Sequence, residues 1–397
     1  MVNAPLRVEK RMMAYSYLHI YPSTIVIFLA VGLLIVISNY FYIPRLNDFV
    51  DAKEFPRVSV LIPARNEEIN IKTCVESLLA QDYPDFEVLV LDDNSTDQTR
   101  PILEAILKRD PRLHILQGEP LPPGWLGKHW ACHQLSSKAT GELILFTDAD
   151  THHATETLRL GVSALIDQKA DLLTAFPRQE MLTWGERLTV PILGFSILGF
   201  FPILLAEKLN LPAVSVTIGQ FMLFRRSALE TIGGYDSIRN HLVDDVSLGR
   251  KIISHGFRWK LMDATEYVTC RMYKNFSTAL EGFTKNLFAF FDYHVALYCI
   301  GWFWIEISFL VPLVVLILVA LNVPVNFPTP IAVFAVLEAL LMIELAYRRF
   351  RFPTYLGLLY PISMVTFALI AFRSLTYSLL GYGSWKGRRL APPAFKL

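Results

Sequence analysis

The chain has 397 residues, of which 53% are hydrophobic, 13% aromatic and only 18% charged. Lys+Arg at 37 against Asp+Glu at 36 leave a net charge of +1, which gives no footing for nucleic acid. The apolar excess over an ordinary soluble domain points instead to lipid. Cys74, Cys132, Cys270 and Cys299 are scattered without a CxxC pair, which argues against a disulfide framework and fits a reducing compartment.

In chain order, a tail over residues 1–22 leads into a membrane anchor at 23–43, where TIVIFLAVGLLIVISNYFYI supplies about the 20 apolar residues a crossing needs. The run is too long for a signal-peptide core and no cleavage site follows, so it is expected to be retained. From Arg57 the pattern alternates. Short continuous apolar runs at 58–62, 86–91, 113–116, 143–147, 172–176 and 221–224 read as buried strands. Helical patterns intervene at 71–79, 97–108, 155–166, 227–232 and 246–254. Such alternation predicts an α/β fold with a mostly parallel sheet covered on both faces, and ligands sit beyond the carboxyl ends of its strands.

Residues 188–206 (LTVPILGFSILGFFPILLA) are apolar enough to span a bilayer. A single crossing there would separate acidic motifs that lie on either side of it. The segment is therefore expected at the membrane interface or in a lipid groove, with Phe195 and Phe200 as lipid contacts. A C-terminal membrane region over 287–383 carries three more runs, at 300–322, 329–346 and from 354 to about 372, before a tail at 384–397. The run RRFRF at 348–352 sits between the last two, and the positive-inside rule makes it cytoplasmic. Counting back two spans puts everything from residue 44 to 286 on that side. Arg7, Lys10 and Arg11 oppose the outward N-terminus this implies, and WKGRR at 385–389 is awkward for a fourth crossing. Glu338 lies in mid-span, as a functional carboxyl or as one packed between helices.

The chemistry gathers at the strand ends. PARNEE (63–68), with Pro63, Arg65, Asn66 and Glu67, follows the first strand as a helix-capping loop or a ligand loop. Asp92 and Asp93 follow the second; they either start a turn or meet a ribose, a base edge or a cation. In FTDADTHH, Asp148 and Asp150 bracket one small residue, so both carboxylates reach one point. Hard oxygen ligands of this kind suit Mg²⁺ or Mn²⁺ bridging phosphates, with His152 or His153 as an added ligand or solvated. His129, Cys132 and His133 suggest zinc but lack a second ligand pair. Asp244 and Asp245 open a helix, where they favour its dipole or supply a general base.

Four such motifs in this order resemble the family-2 glycosyltransferases of the GT-A fold, over roughly residues 56–286. The resemblance implies a cytoplasmic GT-A domain at 55–286 in an integral protein, with a bacterial inner (plasma) membrane the expected location. It implies a UDP-sugar donor held by the PARNEE loop, Asp92 and Asp93, and a metal at Asp148 and Asp150. Gly127 and Lys128 match a donor loop, and Gly219 and Gln220 an acceptor-side turn before the strand with Arg225 and Arg226. Asp245, beside Asp244, matches the base, which implies inversion, and Arg271 and Lys274 would hold the departing phosphates. GWLGKHW (124–130), RMYKNF (271–276) and the flanking spans are similar to the branch acting on carotenoid and hopanoid lipids, related to ceramide glucosyltransferases. A lipid hydroxyl is the acceptor so implied. The QxxRW-type tryptophan of polysaccharide synthases is missing, since Asn275 and Phe276 follow Lys274. A polyprenyl-phosphate sugar transferase, a processive synthase and a non-catalytic nucleotide-sugar-binding membrane protein stand as alternatives.

Overall fold

A computed structural model describes residues 4–381, 384–385, 388–389 and 395–396, with side chains over 21–381 and 395–396. The expectations resting on Arg7, Lys10, Arg11 and the WKGRR run concern side chains that lie outside those described. The chain divides into two compact units, one of residues 41–186 with 201–278, the other of 1–40 with 187–200 and 279–397. In chain order the elements are α1 (Ala4–Tyr42), β1 (Val58–Ala64), α2 (Ile71–Leu79), β2 (Phe86–Asp92), α3 (Thr99–Leu107), β3 (Leu113–Gln117), α4 (Gly127–Lys138) and β4 (Leu143–Phe146). There follow β5 (Thr151–His153), α5 (Thr157–Asp167), β6 (Leu172–Phe176), β7 (Arg178–Gln179), α6 (Trp184–Thr189), α7 (Pro191–Phe200), α8 (Ile203–Lys208), β8 (Met222–Arg225), α9 (Arg226–Thr231) and α10 (Asp244–Ser254). The chain closes with β9 (Trp259–Asp263), β10 (Val268–Cys270), α11 (Phe276–Phe290), α12 (Val295–Ala320), α13 (Thr329–Arg349) and α14 (Tyr360–Leu379).

The first unit is built on a seven-stranded sheet of order β3-β2-β1-β4-β8-β6-β9. Its strands are parallel except β8, which runs antiparallel to both β4 and β6. The apolar runs of β1 and β2 are buried along nearly their whole length, as strands covered on both faces must be. Helix α2 presents Ile71, Cys74, Val75 and Leu78 to the sheet, and all four are buried. A second, three-stranded sheet of order β5-β10-β7 stands beside it. Sequence periodicity missed α4, β5, β7, β9 and β10; the other strands lie within about two residues of expectation.

The other unit is helical. Among the described residues, four helices are long and apolar enough to cross a membrane, over Tyr21–Tyr42, Val295–Ala320, Thr329–Arg349 and Thr354–Leu379. Helix α1 starts at Ala4, so residues expected to be a tail continue the anchor helix. Within 188–206 the chain breaks into α6, α7 and α8, of 6, 10 and 6 residues, each too short to cross a hydrocarbon core. Phe195 corrects the expected lipid contact. It is 2% exposed and packs edge-on against Phe200 and Phe309, with centroids 5.5 and 5.6 Å away. Burial makes it part of this unit's core, where a serine would leave a cavity rather than alter an open lipid surface. Glu338 is 5% exposed on α13, and its Oε2 meets no hydrogen-bond partner among the described residues.

Candidate active site

The sheet delivers its acidic residues at one end. Asp92 is the last residue of β2, and Asp148 and Asp150 follow β4 in the turn to β5. The antiparallel β8 brings Gly219 and Gln220 to the same end by its start. Helix α10 supplies Asp244 and Asp245 from its first turn. Gly249 lets that helix close on the turn before β8, because a Cβ there would lie 2.4 Å from Thr217 Cγ2.

Lys128, in the first turn of α4, ties the motifs together. Its Nζ lies 2.8 Å from Asp148 Oδ1 and 3.4 Å from Asp244 Oδ2. Burial alone would depress this ammonium, but Asp148 and Asp244 outweigh it and hold the group well above its ordinary value. Tyr235 donates its hydroxyl to Asp244 Oδ2 at 3.4 Å. Asp245 accepts the Gly219 N–H on Oδ2 at 3.0 Å and the Val246 N–H on Oδ1 at 2.7 Å. Burial, then the Asp244 charge, push the Asp245 carboxyl up to about 6 against the opposing pull of Lys128 and both N–H groups. A carboxylate so placed is oriented and still basic near neutral pH.

Asp150 accepts a weak hydrogen bond from the Cys270 thiol, 3.6 Å away. Burial first, then the charges of Asp148 and Glu67, raise its carboxyl above the usual range. Among the described residues no group of three or more His, Cys, Asp or Glu is arranged to hold a metal by itself. Asp148 and Asp150 offer two hard carboxylates, which would suit Mg²⁺ or Mn²⁺ if a substrate supplied further oxygen ligands. The excess negative charge at Asp150 is what such an ion would relieve. His153 is buried and shares its Nε2 with the Thr147 and Thr151 hydroxyls at 3.1 and 3.0 Å. Burial pushes it down to about 3, so it is neutral and structural; His152 is exposed.

The two nucleotide-loop motifs lock each other. Asn66 adopts a left-handed conformation (φ 54°), and its Oδ1 accepts the Thr96 N–H at 2.8 Å. The Glu67 N–H donates to Thr99 Oγ1 at 2.8 Å, and Arg65 donates to the Asp93 carbonyl at 2.7 Å. Asp92 is 3% exposed and accepts the Ser95 N–H at 3.0 Å, which gives it the turn-forming role. Asp93 extends the motif beside Arg65, 3.6 Å from its guanidinium. Arg271 is held by the fully buried Glu186 at 2.8 Å, so that side chain is already paired, whereas Lys274 is exposed. In α4, His133 stacks on Trp130 at 5.4 Å and His129 meets Tyr235 edge-on at 5.8 Å. Cys270 and Glu186 touch predicted site residues without having been singled out; nothing local in the sequence marks either.

Residues 59–233 match the family model described as Glycosyl transferase family 2. Two similar proteins are named 4,4'-diaponeurosporenoate glycosyltransferase, from Staphylococcus haemolyticus (25% identical) and Staphylococcus aureus (28%). Each match covers 58% of this chain and spans 60% of the relative's length. The "Probable glycosyltransferase YdaM" of Bacillus subtilis is 25% identical over 53% of this chain and 50% of its own. Among solved structures, a mannosyltransferase of Pyrobaculum calidifontis, in complex with GDP-Man and Mn²⁺, superposes with TM-score 0.54 at 20% identity. That likeness covers 90% of this chain and 99% of that one, and it shows the shared fold. Residues 59–233 thus resemble the glycosyl transferase family 2 domain, and the chain shares the GT-A fold.

Proposed function

We propose that the protein is an inverting, metal-dependent glycosyltransferase. It moves a hexose, glucose or a close relative, from a UDP-sugar to a hydroxyl of a lipid such as a carotenoid, hopanoid or sphingoid lipid. The observation that carries this reading is the Lys128 bridge between Asp148 and Asp244, which brings a diphosphate-facing carboxylate and the base-bearing pair into one site. The four apolar helices and the carotenoid-related names of two relatives support a lipid acceptor. The basic end of α13, with Arg348 and Arg349 in its last turn, supports a catalytic domain on the cytoplasmic side of a bacterial plasma membrane.

In this reading Asp93 and the PARNEE loop hold the uridine, and Asp148 and Asp150 would hold the divalent ion. That ion, when bound, neutralises the diphosphate so that UDP can leave. Lys128 passes from Asp148 to a donor phosphate as the site fills. Asp245 takes the proton of the acceptor hydroxyl while its oxygen attacks the anomeric carbon from the face opposite UDP. One displacement inverts the configuration, and no covalent enzyme intermediate forms.

The test is UDP release by purified protein in detergent, from UDP-glucose with Mn²⁺, with and without a bacterial lipid extract. Lipid-dependent release that Asp245→Asn abolishes is the expected result. Release that survives the substitution would move the acceptor to a group already ionised, such as a polyprenyl phosphate, because an anion needs no base. Lipid-dependent release from GDP-mannose alone would overturn the UDP donor.

A further inference from the structure

Between the metal-facing acids and the base lies a pair of buried amides that the reading above leaves unused. Gln179 and Gln220 are 4% and 7% exposed, and Gln179 donates Nε2–H to Gln220 Oε1 at 3.1 Å. Gln179 Oε1 is sealed from solvent with no hydrogen-bond partner among the described residues. An unpaired buried carbonyl of this kind is costly to keep, so its retention calls for a role.

The surrounding bonds fix where the pair sits. The Gln220 carbonyl accepts the Thr147 hydroxyl at 2.8 Å, one residue from Asp148. The Gly219 N–H, one residue before Gln220, donates to Asp245 at 3.0 Å. Gln179 pairs in register with Cys270 across β7 and β10, and the Cys270 thiol touches Asp150. Three short links thus run from the amide pair to Asp148, Asp150 and Asp245. In a single displacement the transferred sugar must lie between the diphosphate and the base. The amide pair is tied to the residues at both ends of that gap.

We infer that Gln220 reads a hydroxyl of the transferred sugar and that Gln179 is the positioning residue that sets which way its amide faces. With Gln179 Nε2–H bonded to Gln220 Oε1, the Gln220 amino group is left to donate to a sugar oxygen. Turning both amides over would instead offer the Gln220 carbonyl to a hydroxyl proton, and a sugar hydroxyl satisfies either. The role goes beyond the acceptor-side part that resemblance implies for Gln220. It rests on the glycosyltransferase reading of the same site.

The experiment compares binding of UDP, UDP-glucose, UDP-galactose and UDP-N-acetylglucosamine, with Mn²⁺, to the full-length protein and to Gln179→Leu and Gln179→Glu. In the leucine variant the affinity for UDP stays put. The preference of the wild type among the three sugars falls by about tenfold, the size of one lost hydrogen bond. The glutamate variant keeps the length but has no N–H to donate, so it turns the Gln220 amide over and changes the order of preference among the sugars. Intact UDP affinity shows that the variant is folded. An unchanged sugar preference with intact UDP affinity overturns the inference, and so does an equal loss for UDP and the sugars in both variants. A wild type that binds no UDP or UDP-sugar at all would instead overturn the donor assignment on which the inference rests.

Discussion

Strand β2 carries a carboxylate at its amino end and the turn after β4 carries another, Asp150, and the two are treated in opposite ways. At its amino end Glu87 accepts the Ser59 hydroxyl, the Thr140 N–H at 2.7 Å and the Thr140 hydroxyl at 2.7 Å, with Arg57 3.6 Å away. Burial would raise this carboxyl, but those bonds win and hold it below its ordinary value. Beyond the carboxyl ends of the strands, Asp150 has a thiol for a donor and like charges for neighbours, and it is raised. A carboxylate whose lone pairs are satisfied is part of the scaffold; one crowded by its own kind is where the proposed cation would bind. Burial is common to both, so the partners decide the difference.

The largest test of that contrast is at the acidic end. Asp150→Asn, or removal of divalent ions with EDTA, should cut UDP release by roughly a hundredfold or more, several kcal/mol of lost charge stabilisation. The same substitution should leave the melting temperature unchanged or raise it, because it removes a repelled charge. Glu87→Gln should do the reverse, costing about 1–3 kcal/mol of stability while the affinity for UDP is unchanged, as chemical denaturation and UDP titration would show. If both variants lost stability equally, the contrast would fail.

A pH profile sharpens it further. In the proposed reaction Asp245 acts in its ionised form, and its carboxyl is raised to about 6. Turnover should therefore climb with pH through about 6 and level off above it. Glu87 has the opposite sign: a carboxyl held low in the folded chain contributes stability that is complete above its ordinary titration range and lost as pH falls through its folded value. Acid should then weaken the fold below the range in which it silences the base. The smallest expected effect is at Arg271. Its guanidinium is paired with Glu186, so Arg271→Lys should cost more in melting temperature than in UDP affinity, and an effect confined to UDP affinity would return it to the phosphates.

The legible parts of the chain were those in which one local signal sufficed. VSVLI and FEVLVL could only be strands buried on both faces, and the acids that follow them fell where a parallel sheet presents ligands. Helix α4 was not legible, because GKHWACHQLSSK mixes His, Trp and polar residues with no apolar stripe along one face. Strand β9 was hidden by Trp259 and Lys260, and β5, β7 and β10 are only two or three residues long, too short for any period. Within the site, that Asp148, Asp150 and Asp245 come to one end of the sheet could be anticipated from motif order. That Lys128 bridges two of the motifs, or that Gln179 meets Gln220 across 41 positions, could not, since these contacts exist only once the sheet has folded.

The central claim is a single displacement with Asp245 as base, and the anomeric configuration of the product tests it most directly. Lipid glycoside made from α-linked UDP-glucose, examined by proton NMR, should show the large anomeric coupling of a β-linked sugar. An α-linked product would contradict the account, because retention requires either a second displacement or attack from the face that UDP leaves.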